Sequence, residues 1–197
     1  NISYEDFKSA AKACCGGNPT KDQYDAFEEA ECTCTIENKL EMAMFLAQIF
    51  HESACLKAKV EIKCKKNESH CAHYEHTYGF PGKIYYGRGY IQLTGSENYK
   101  KASKALFNDD RLLREPEQVA NNEEIAWKTA FWYWKVRVHN LKGVESGNFG
   151  TTTRGINGAE CTKSELHDRA KRRFACFKKV VKALGMNDEP NEQGCYN

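Results

Sequence analysis

The amino-acid sequence predicts a mainly α-helical protein that is stabilised by disulfide bonds. Apolar residues recur at helical spacing over most of the chain, whereas the alternation typical of strands is scarce. Ten cysteines occur in 197 residues, and this even number allows every thiol to be paired. No repeat or low-complexity linker interrupts the chain, so we expect residues 1–197 to form one domain.

Three helices are predicted in the first quarter of the chain. Residues 3–13 begin with Ser3 and residues 20–30 with Thr20, and both residue types commonly cap helix N-termini. Residues 36–52 are apolar on nearly every side, which indicates a helix buried in the core.

The rest of the chain alternates between polar segments and helices. Residues 56–90 are charged and contain glycine and proline, which indicates a loop, and the glycines of residues 143–161 indicate a turn region. The aromatic residues around Trp127 have helical spacing, so we expect them in the core. Gly185 is suited to end the last helix. The helices predicted in this part span residues 96–107, 123–136 and 164–184.

The cysteines favour disulfide bonds over a metal site. No C-x-x-C pair occurs, and the one alternative for a metal ion is a histidine run beside Cys71, at His70, His73 and His76. We therefore predict no metal and no cofactor. Disulfide bonds indicate an oxidising compartment, and the chain starts without a signal sequence, so we expect a mature, secreted protein. Within residues 1–35, four cysteines are expected to staple the first two helices: Cys14, Cys15, Cys32 and Cys34.

Charge and hydropathy argue against several kinds of partner. The net charge is only +2, and the densest basic run, residues 171–179, falls within one predicted helix, where it is most simply the solvated face. We therefore expect no nucleic-acid partner. No stretch of about 18 apolar residues occurs, so we expect no membrane partner. We expect a monomer.

Glu52 and Glu61 are candidates for acid–base chemistry. Glu52 lies where the apolar helix meets polar residues, and partial desolvation there favours the protonated form that a general acid needs. A helix end in water explains the local pattern of Glu52 equally well. Glu61 follows nine residues later in the polar loop, where a carboxylate is expected to stay ionised. One protonated and one ionised carboxylate beside a cleft is the arrangement of glycoside hydrolysis.

Motifs of other enzyme classes are absent. Cys55 stands where a zincin would carry its second histidine, and no G-x-S-x-G nucleophile motif occurs. Gly87 and Gly89 do not begin a dinucleotide-binding fingerprint, because Gln92 stands at the position of the third glycine.

Four motifs resemble those of glycoside hydrolase family 19. In the family's order, they are FLAQIFHES at residues 45–53, YYGRGYIQLT at 85–94, AWKTAFWYW at 126–134 and TRGINGAEC at 153–161. The resemblance implies a two-lobed, lysozyme-like helical fold with a long substrate cleft. It also implies endo-acting hydrolysis of the β-1,4 links between N-acetylglucosamine units, with inversion at the anomeric carbon. The implied partner is chitin or a chito-oligosaccharide.

The resemblance also implies roles for individual residues. Glu52 matches the general acid, Glu61 the general base, and Thr94 the residue that helps to hold the attacking water. Glu160 supports the site by forming a charged pair with Arg173, and this pair positions the side of the cleft on which the base lies. The positions implied to bind substrate are His51, Tyr86, Gln92, Asn98, Lys128, Asn157 and Arg173.

Several positions depart from the family pattern. Residues 53–55, Ser-Ala-Cys, stand where the family has Thr-Gly-Gly, which reduces the freedom of the backbone after the acid. Tyr90 replaces a proline, and Glu97 replaces a tyrosine beside the cleft. Tyr90 is a candidate for stacking on a sugar, as are Tyr85 and Tyr86, for which a place in the core is an equal alternative.

The resemblance implies one disulfide bond, and a departure from the family suggests a second. Cys161 with Cys195 matches the family's C-terminal bridge. Phe80 replaces a cysteine of the family, and we therefore predict that Cys71 pairs with Cys64. The partners of the other six cysteines stay open.

Two other functions are retained as alternatives. A peptidoglycan-cleaving muramidase would have the same fold, but the disulfide bonds and two N-glycosylation acceptors, Asn1 and Asn67, favour chitin. The second alternative is a catalytically weakened chitin-binding or defence protein. Residues 53–55 and Glu97 motivate it, whereas the presence of both carboxylates argues against it.

Overall fold

The first three predicted helices are present in the computed structural model, which describes residues 1–31 and 36–197. Ser3 caps the first helix by accepting a hydrogen bond from the N–H of Asp6, and Thr20 caps the second by accepting one from the N–H of Gln23. These caps confirm the helix starts expected from the sequence. The helices are α1 (Tyr4–Cys15), α2 (Lys21–Glu31) and α3 (Lys39–Glu52).

The segment predicted as a loop contains more helix than expected. It carries α4 (Ile62–Lys66) and a 3-10 helix (Glu68–Cys71), and α5 (Ser96–Phe107) follows as predicted. Its only strand-like pairs within the described residues are isolated bridges, in which Arg88 pairs with Val60 and with Leu93. The first bridge places the residue after Val60, which is Glu61, beside the motif at residues 85–94, called the signature motif below.

The predicted turn region at residues 143–161 is a turn only at its start, where Gly143 and Gly147 have φ values of 108° and 81°, and it is mostly helical from Phe149 on. The glycines within the helical part allow close packing. A Cβ on Gly150 would lie 2.3 Å from the carbonyl oxygen of Glu192, and one on Gly155 would lie 3.0 Å from that of Arg137. The helices of this half are α6 (Arg111–Arg114), α7 (Gln118–Asn121), α8 (Glu123–Arg137), α9 (Phe149–Asn157), α10 (Ala159–Thr162), a 3-10 helix (Ser164–Leu166) and α11 (His167–Ala183).

Helix α3 lies at the centre of the core, as its apolar composition predicts. It packs against α1, α9 and α11, and its residues 41–50 are all buried. Phe45 stacks on Phe131 of α8 with ring centroids 4.4 Å apart, and it meets Trp134 edge-on at 5.4 Å. All the aromatic residues of α8 except Tyr133 therefore form core, as expected. Burial on all sides holds the C-terminal end of α3, and with it Glu52, in a defined position.

The disulfide bonds confirm two predicted pairs and contradict one expectation. Cys14 and Cys15 tie α1 to α11 and to the segment after α3, because the end of α1 lies against both. The expectation that these two cysteines staple the first two helices together is therefore wrong. Cys32 and Cys34 lie outside the described residues. The bonds are Cys14–Cys176, Cys15–Cys55, Cys64–Cys71 and Cys161–Cys195.

The basic run of α11 divides between solvent and core. Lys171 and Arg172 are exposed, as predicted for a solvated face, but Arg173 points inward and is buried. Gly185 follows the helix with a φ of 68°, which suits a glycine at a helix end. Within the described ranges, none of the helices has the length and apolar composition needed to cross a membrane.

Candidate active site

A cleft of about 400 Å³ opens between the ends of α3 and α9, helices α5 and α8, and the segment of residues 57–95. Both candidate carboxylates face this one cavity. The predicted site residues that line it are Glu52, Glu61, Gln92, Thr94, Asn98 and Asn157. The lining is completed by Tyr74, Gly87, Ile91, Tyr133 and Ile156.

Glu52 is the last residue of α3 and forms an ion pair with a buried arginine. Its side chain is 17% exposed, and its Oε1 lies 2.7 Å from Nη2 of Arg173, which is only 2% exposed. The same guanidinium donates two hydrogen bonds of 2.9 Å to the carboxylate of Glu160 and a third to the Oε1 of Gln48. The partial desolvation expected for Glu52 is present, together with a cation that the local sequence pattern did not indicate.

Arg173 belongs to the acid side of the cleft. The expectations that it positions the base and binds the sugar are therefore wrong, because its partners are Glu52, Glu160 and Gln48 and almost none of its surface is accessible. Burial opposes its charge, but Glu52 and Glu160 raise the pKa of Arg173, so it stays a cation. Arg173 and Glu160 are a neutral pair by themselves, so a proton on Glu52 leaves no buried charge unpaired.

His51 is held neutral behind Glu52. Burial, and next the charge of Arg173, lower the pKa of His51 to about 3. The imidazole is therefore uncharged at any pH near neutrality. His51 is not among the residues that line the cleft. Its side chain lies behind the cleft wall, so the structure contradicts the predicted contact between His51 and the substrate.

The backbone turns sharply after Glu52 in a conformation that favours glycine. Ala54, Cys55 and Leu56 have φ values of 48°, 65° and 67°, in the left-handed region. The family has two glycines where this chain has Ala54 and Cys55, so the chain makes the turn without the residues best suited to it. The buried Ser53 supports the turn: its hydroxyl donates to the carbonyl of Ile49 and accepts from the N–H of Leu56.

We expect Ala54→Gly to stabilise the protein. The substitution removes a left-handed alanine, which costs about 1 kcal/mol, and part of this gain is offset by the greater freedom of glycine in the unfolded chain. The expected net gain is about 0.5 kcal/mol, measured as the free energy of unfolding in denaturant titrations. Ala105→Gly, on the exposed side of α5, is the matched control and should destabilise by about 0.5–1 kcal/mol. Equal losses in both variants would contradict the strain at Ala54.

Glu61 is held by donors on both carboxylate oxygens. The hydroxyl of Tyr74 donates to Oε1 at 2.7 Å, and the N–H of Gly87 donates to Oε2 at 3.2 Å. Lys63 forms a longer ion pair of 3.4 Å, and the side chain of Glu61 is 21% exposed. The backbone N–H of Glu61 also donates to the carbonyl of Gly87 at 2.9 Å. Glu61 is therefore fixed to the signature motif although it lies in a polar segment.

Gly87 leaves room for two site residues at once. A Cβ at this position would lie 2.8 Å from Oε1 of Gln92 and 3.3 Å from Oε2 of Glu61. Gln92 cannot retreat freely, because its Nε2 donates to the carbonyl of Gly89 at 3.0 Å. The absence of a side chain at Gly87 thus permits the close approach of Glu61 and Gln92.

We expect Gly87→Ala to reduce activity much more than stability. The new methyl group displaces Gln92 and Glu61, and misplacement of reacting groups by a fraction of an ångström typically costs at least tenfold in rate, about 10²-fold for 1 Å. Steady-state kinetics on a chito-oligosaccharide should show a loss of about tenfold or more in kcat/KM. Thermal unfolding should change little, since the cleft can relax toward solvent. An unchanged kcat/KM would show that this contact does not constrain the site.

Thr94 and Asn98 are oriented by the backbone of the signature motif. The hydroxyl of Thr94 donates to the carbonyl of Gln92 at 2.9 Å, which leaves its oxygen free to accept a hydrogen bond. The Nδ2 of Asn98 donates to the carbonyl of Thr94, and its Oδ1 accepts from Arg137. Gln92 has a φ of 59°, which turns this short segment toward the cleft.

Several predicted substrate contacts lie elsewhere. Tyr86 packs against the Cys64–Cys71 disulfide, and its hydroxyl donates to Glu68. Lys128 is paired with Glu124, one helical turn away, and does not line the cleft. In both cases a local partner satisfies the polar group away from the cavity.

The remaining signature tyrosines and Glu97 also lie away from the cleft. Tyr85 and Tyr90 have no exposed surface, so stacking of Tyr90 on a sugar is ruled out and both belong to the core. Glu97 forms an ion pair with Lys101 at 3.1 Å and is not part of the cleft wall. The charge of Glu97 is thus paired within its own helix.

Sequence reasoning missed two tyrosines that line the cleft. Tyr133 lies on α8 between the core residues Trp132 and Trp134, and its hydroxyl donates to the carbonyl of Gly155 at 3.1 Å. Because its aromatic neighbours on α8 are buried in the core, the sequence pattern did not indicate that Tyr133 faces the cleft. Tyr74 lies in the polar segment after the 3-10 helix, where no motif distinguishes it.

The only close group of metal-ligand types in the described parts of the chain is Glu61, Cys64 and Cys71. Both sulfurs are bonded to each other, so neither provides a thiolate. The group does not include the histidines near Cys71 that the sequence raised as an alternative.

Solved structures with this fold include bacterial chitinases. Chitinase C from Streptomyces griseus has a TM-score of 0.76 at 28% sequence identity, and the match covers 95% of this chain and 79% of that one. A bacterial family 19 chitinase has a TM-score of 0.76 at 31% identity, and the match covers 96% and 97% of the two chains. The predicted mainly helical fold is thus confirmed, and it is the fold of these chitinases.

Sequence comparison identifies the family. The family described as chitinase class I matches residues 3–148. An endochitinase of Arabidopsis thaliana is 43% identical over 123 residues, which is 62% of this chain and 41% of the relative. Another is 36% identical over 154 residues, 76% and 53% of the two chains, so this chain spans about half the length of these relatives. The chain belongs to glycoside hydrolase family 19.

Proposed function

We propose that this protein is an endo-acting chitinase that cleaves β-1,4 links between N-acetylglucosamine units with inversion. The observation that carries the proposal is that Glu52 and Glu61 line one cleft with different supports. Glu52 contacts a buried cation, and Glu61 is held by a hydroxyl and a backbone N–H. Membership of the family and the similarity to endochitinases support the choice of substrate.

Glu52 acts as the general acid. Its proton passes to the glycosidic oxygen as the bond to the anomeric carbon breaks, so the leaving sugar departs as an alcohol. The carboxylate that forms on Glu52 is 2.7 Å from Nη2 of Arg173, which stabilises the new negative charge. Glu160 keeps Arg173 paired and oriented before the proton leaves.

Glu61 acts as the general base for the attacking water. It accepts a proton from the water while the oxygen of that water attacks the anomeric carbon on the face opposite the leaving group. The free lone pair of Thr94 accepts the second hydrogen of the water and helps to align it. The product therefore has the inverted configuration.

The other lining residues suit a neutral sugar chain. Gln92, Asn98 and Asn157 provide amide groups for hydroxyl and acetamido groups, and Ile91 and Tyr133 provide apolar surface. His51, Arg173 and Glu160 act from behind the wall. Tyr86 and Lys128 have no part in this proposal, because neither lines the cleft.

We also propose that residues 1–197 act as one secreted, monomeric catalytic domain. The disulfide bonds among the described residues support an oxidising, extracellular location. The segment 1–35 contributes α1 and α2, which pack on the catalytic part: α1 is bonded to α11, and α2 packs against α8.

The test is to follow chitohexaose cleavage by proton NMR and to incubate peptidoglycan in parallel. The proposal expects α-anomers to appear first from internal cleavage of chitohexaose, and little release from peptidoglycan. Initial β-anomers would contradict inversion. Cleavage of peptidoglycan alone would favour a muramidase, and tight binding of chitohexaose without products would favour a weakened binding protein.

A further inference from the structure

Tyr74 is the closest hydrogen-bond donor to the proposed base. Its hydroxyl lies 2.7 Å from Oε1 of Glu61, compared with 3.2 Å for the N–H of Gly87 at Oε2 and 3.4 Å for Lys63. Donors on both oxygens restrict rotation of the carboxylate about its last torsion, which is otherwise broad. Tyr74 and Gly87 together therefore set the plane of the Glu61 carboxylate.

Tyr74 keeps its proton at neutral pH. Burial, and next the hydrogen bond to Glu61, raise the pKa of Tyr74 to about 12. At neutral pH the phenol is therefore a donor, and the carboxylate of Glu61 is its acceptor. Tyr74 itself lies in the short segment that follows the Cys64–Cys71 disulfide, and its backbone N–H donates to the carbonyl of Cys71 at 3.3 Å.

The next residue, Glu75, attaches this segment to helix α5. Its backbone carbonyl accepts from the N–H of Ser96 at 2.8 Å, and its Oε2 accepts from the hydroxyl of Ser96 at 2.6 Å and the N–H of Glu97 at 3.1 Å. The residue before α5 is Gly95, which has no side chain to cap the helix, so Glu75 supplies that cap from a distant part of the chain.

The charge of Glu75 is suited to this contact. Partial desolvation acts to raise the pKa of Glu75, but the hydrogen bonds from Ser96 and Glu97 outweigh it and the pKa is lowered. Ser96 is fully buried, and its hydroxyl also accepts from the N–H of Tyr78, so the segment is bound on both sides of Glu75. Helix α5 carries Asn98 into the cleft two residues after Ser96.

We infer that Tyr74 and Glu75 form a positioning pair for catalysis, in which Glu75 fastens its segment to α5 and Tyr74 orients Glu61. The inference rests on the proposed role of Glu61 as the base. It assigns a positioning role to two residues that no family motif in this sequence includes. Through the pair, the base and the cleft residue Asn98 share one support.

Tyr74→Phe tests the first half of the pair. Loss of the hydroxyl frees Glu61 to rotate, and we expect kcat on chitohexaose to fall by about tenfold while KM changes by less than about twofold. Tyr196→Phe is the matched control, because Tyr196 also donates to a glutamate, Glu192, and its pKa is likewise raised to about 12. The control should keep the wild-type kcat, and both variants should keep the wild-type thermal midpoint.

A double-mutant cycle shows whether Tyr74 acts through Glu61. In a Glu61→Gln background, Tyr74→Phe should have almost no further effect on residual kcat. A tenfold loss in both backgrounds would overturn the inference, as would wild-type kcat in Tyr74→Phe alone. Full activity of Glu61→Gln itself would instead overturn the proposed function, so the two failures are distinguishable.

Glu75 is tested by a pair of substitutions that differ in hydrogen bonding. Glu75→Ala removes the acceptor for Ser96 and Glu97, and we expect kcat to fall by about three- to tenfold. Glu75→Gln retains a side-chain oxygen and should keep most of the activity. Equal kcat in both variants and the wild type would overturn the role of Glu75.

Discussion

Glu52→Gln is expected to lower kcat on chitohexaose by about 10²- to 10⁴-fold, the range that general acid catalysis contributes. The amide cannot deliver a proton to the glycosidic oxygen. The fold should persist, because Arg173 keeps its two hydrogen bonds to Glu160 and its bond to Gln48. Steady-state kinetics and thermal unfolding, measured together, separate loss of chemistry from loss of structure.

A matched control for this variant is available in the same chain. Glu31 is the last residue of α2, as Glu52 is of α3, but it does not line the cleft. Glu31→Gln should therefore keep wild-type kcat. If Glu52→Gln retained activity within about twofold of the wild type, Glu52 would not be the acid.

Substrates with better leaving groups provide a second check on the acid. A chito-oligosaccharide with a nitrophenol leaving group needs little proton donation, so the loss caused by Glu52→Gln should be much smaller on it. An equal loss on both substrates would indicate that Glu52 affects binding or structure. This comparison uses the chemistry of the step and does not depend on the natural substrate.

Glu61→Gln has the second largest expected effect, a loss of about 10²- to 10³-fold in kcat with KM little changed. The glutamine cannot accept a proton from the attacking water. Because Glu61 makes its contacts within the segment of residues 57–95, its replacement should leave the helical core intact. Kinetics on chitohexaose and circular dichroism would test both statements.

Glu68→Gln is the matched control for the base. Glu68 lies seven residues further along the same segment and accepts a hydrogen bond from a tyrosine hydroxyl, as Glu61 does, but it does not line the cleft. It should keep wild-type kcat.

For Glu61→Ala, added azide should restore cleavage and yield the α-glycosyl azide, because azide attacks without a base. A β-azide would contradict attack from the side of Glu61.

Much of the fold and half of the candidate site were predictable from local patterns. Helix starts at Ser3 and Thr20 and the buried helix α3 depend on interactions between near neighbours, which a sequence displays directly. The turn prediction failed over the later part of residues 143–161, from Phe149 on, for the opposite reason. Gly150 lies inside a helix because the backbone of residues 192–195 packs against it, and a local pattern carries no sign of that contact.

The sequence by itself determined the helical class and the family, because these depend on periodicity and on residues grouped in short motifs. It also indicated the two candidate carboxylates, Glu52 from a motif and Glu61 from its spacing to Glu52. Only the tertiary structure decided what surrounds the carboxylates. Arg173 comes from the basic run of α11, and Tyr74 from a polar segment without a motif. Even the disulfide partner of Cys14 lies 162 residues away. Such contacts arise from packing between distant segments, and that packing decides which of several similar side chains faces the cleft.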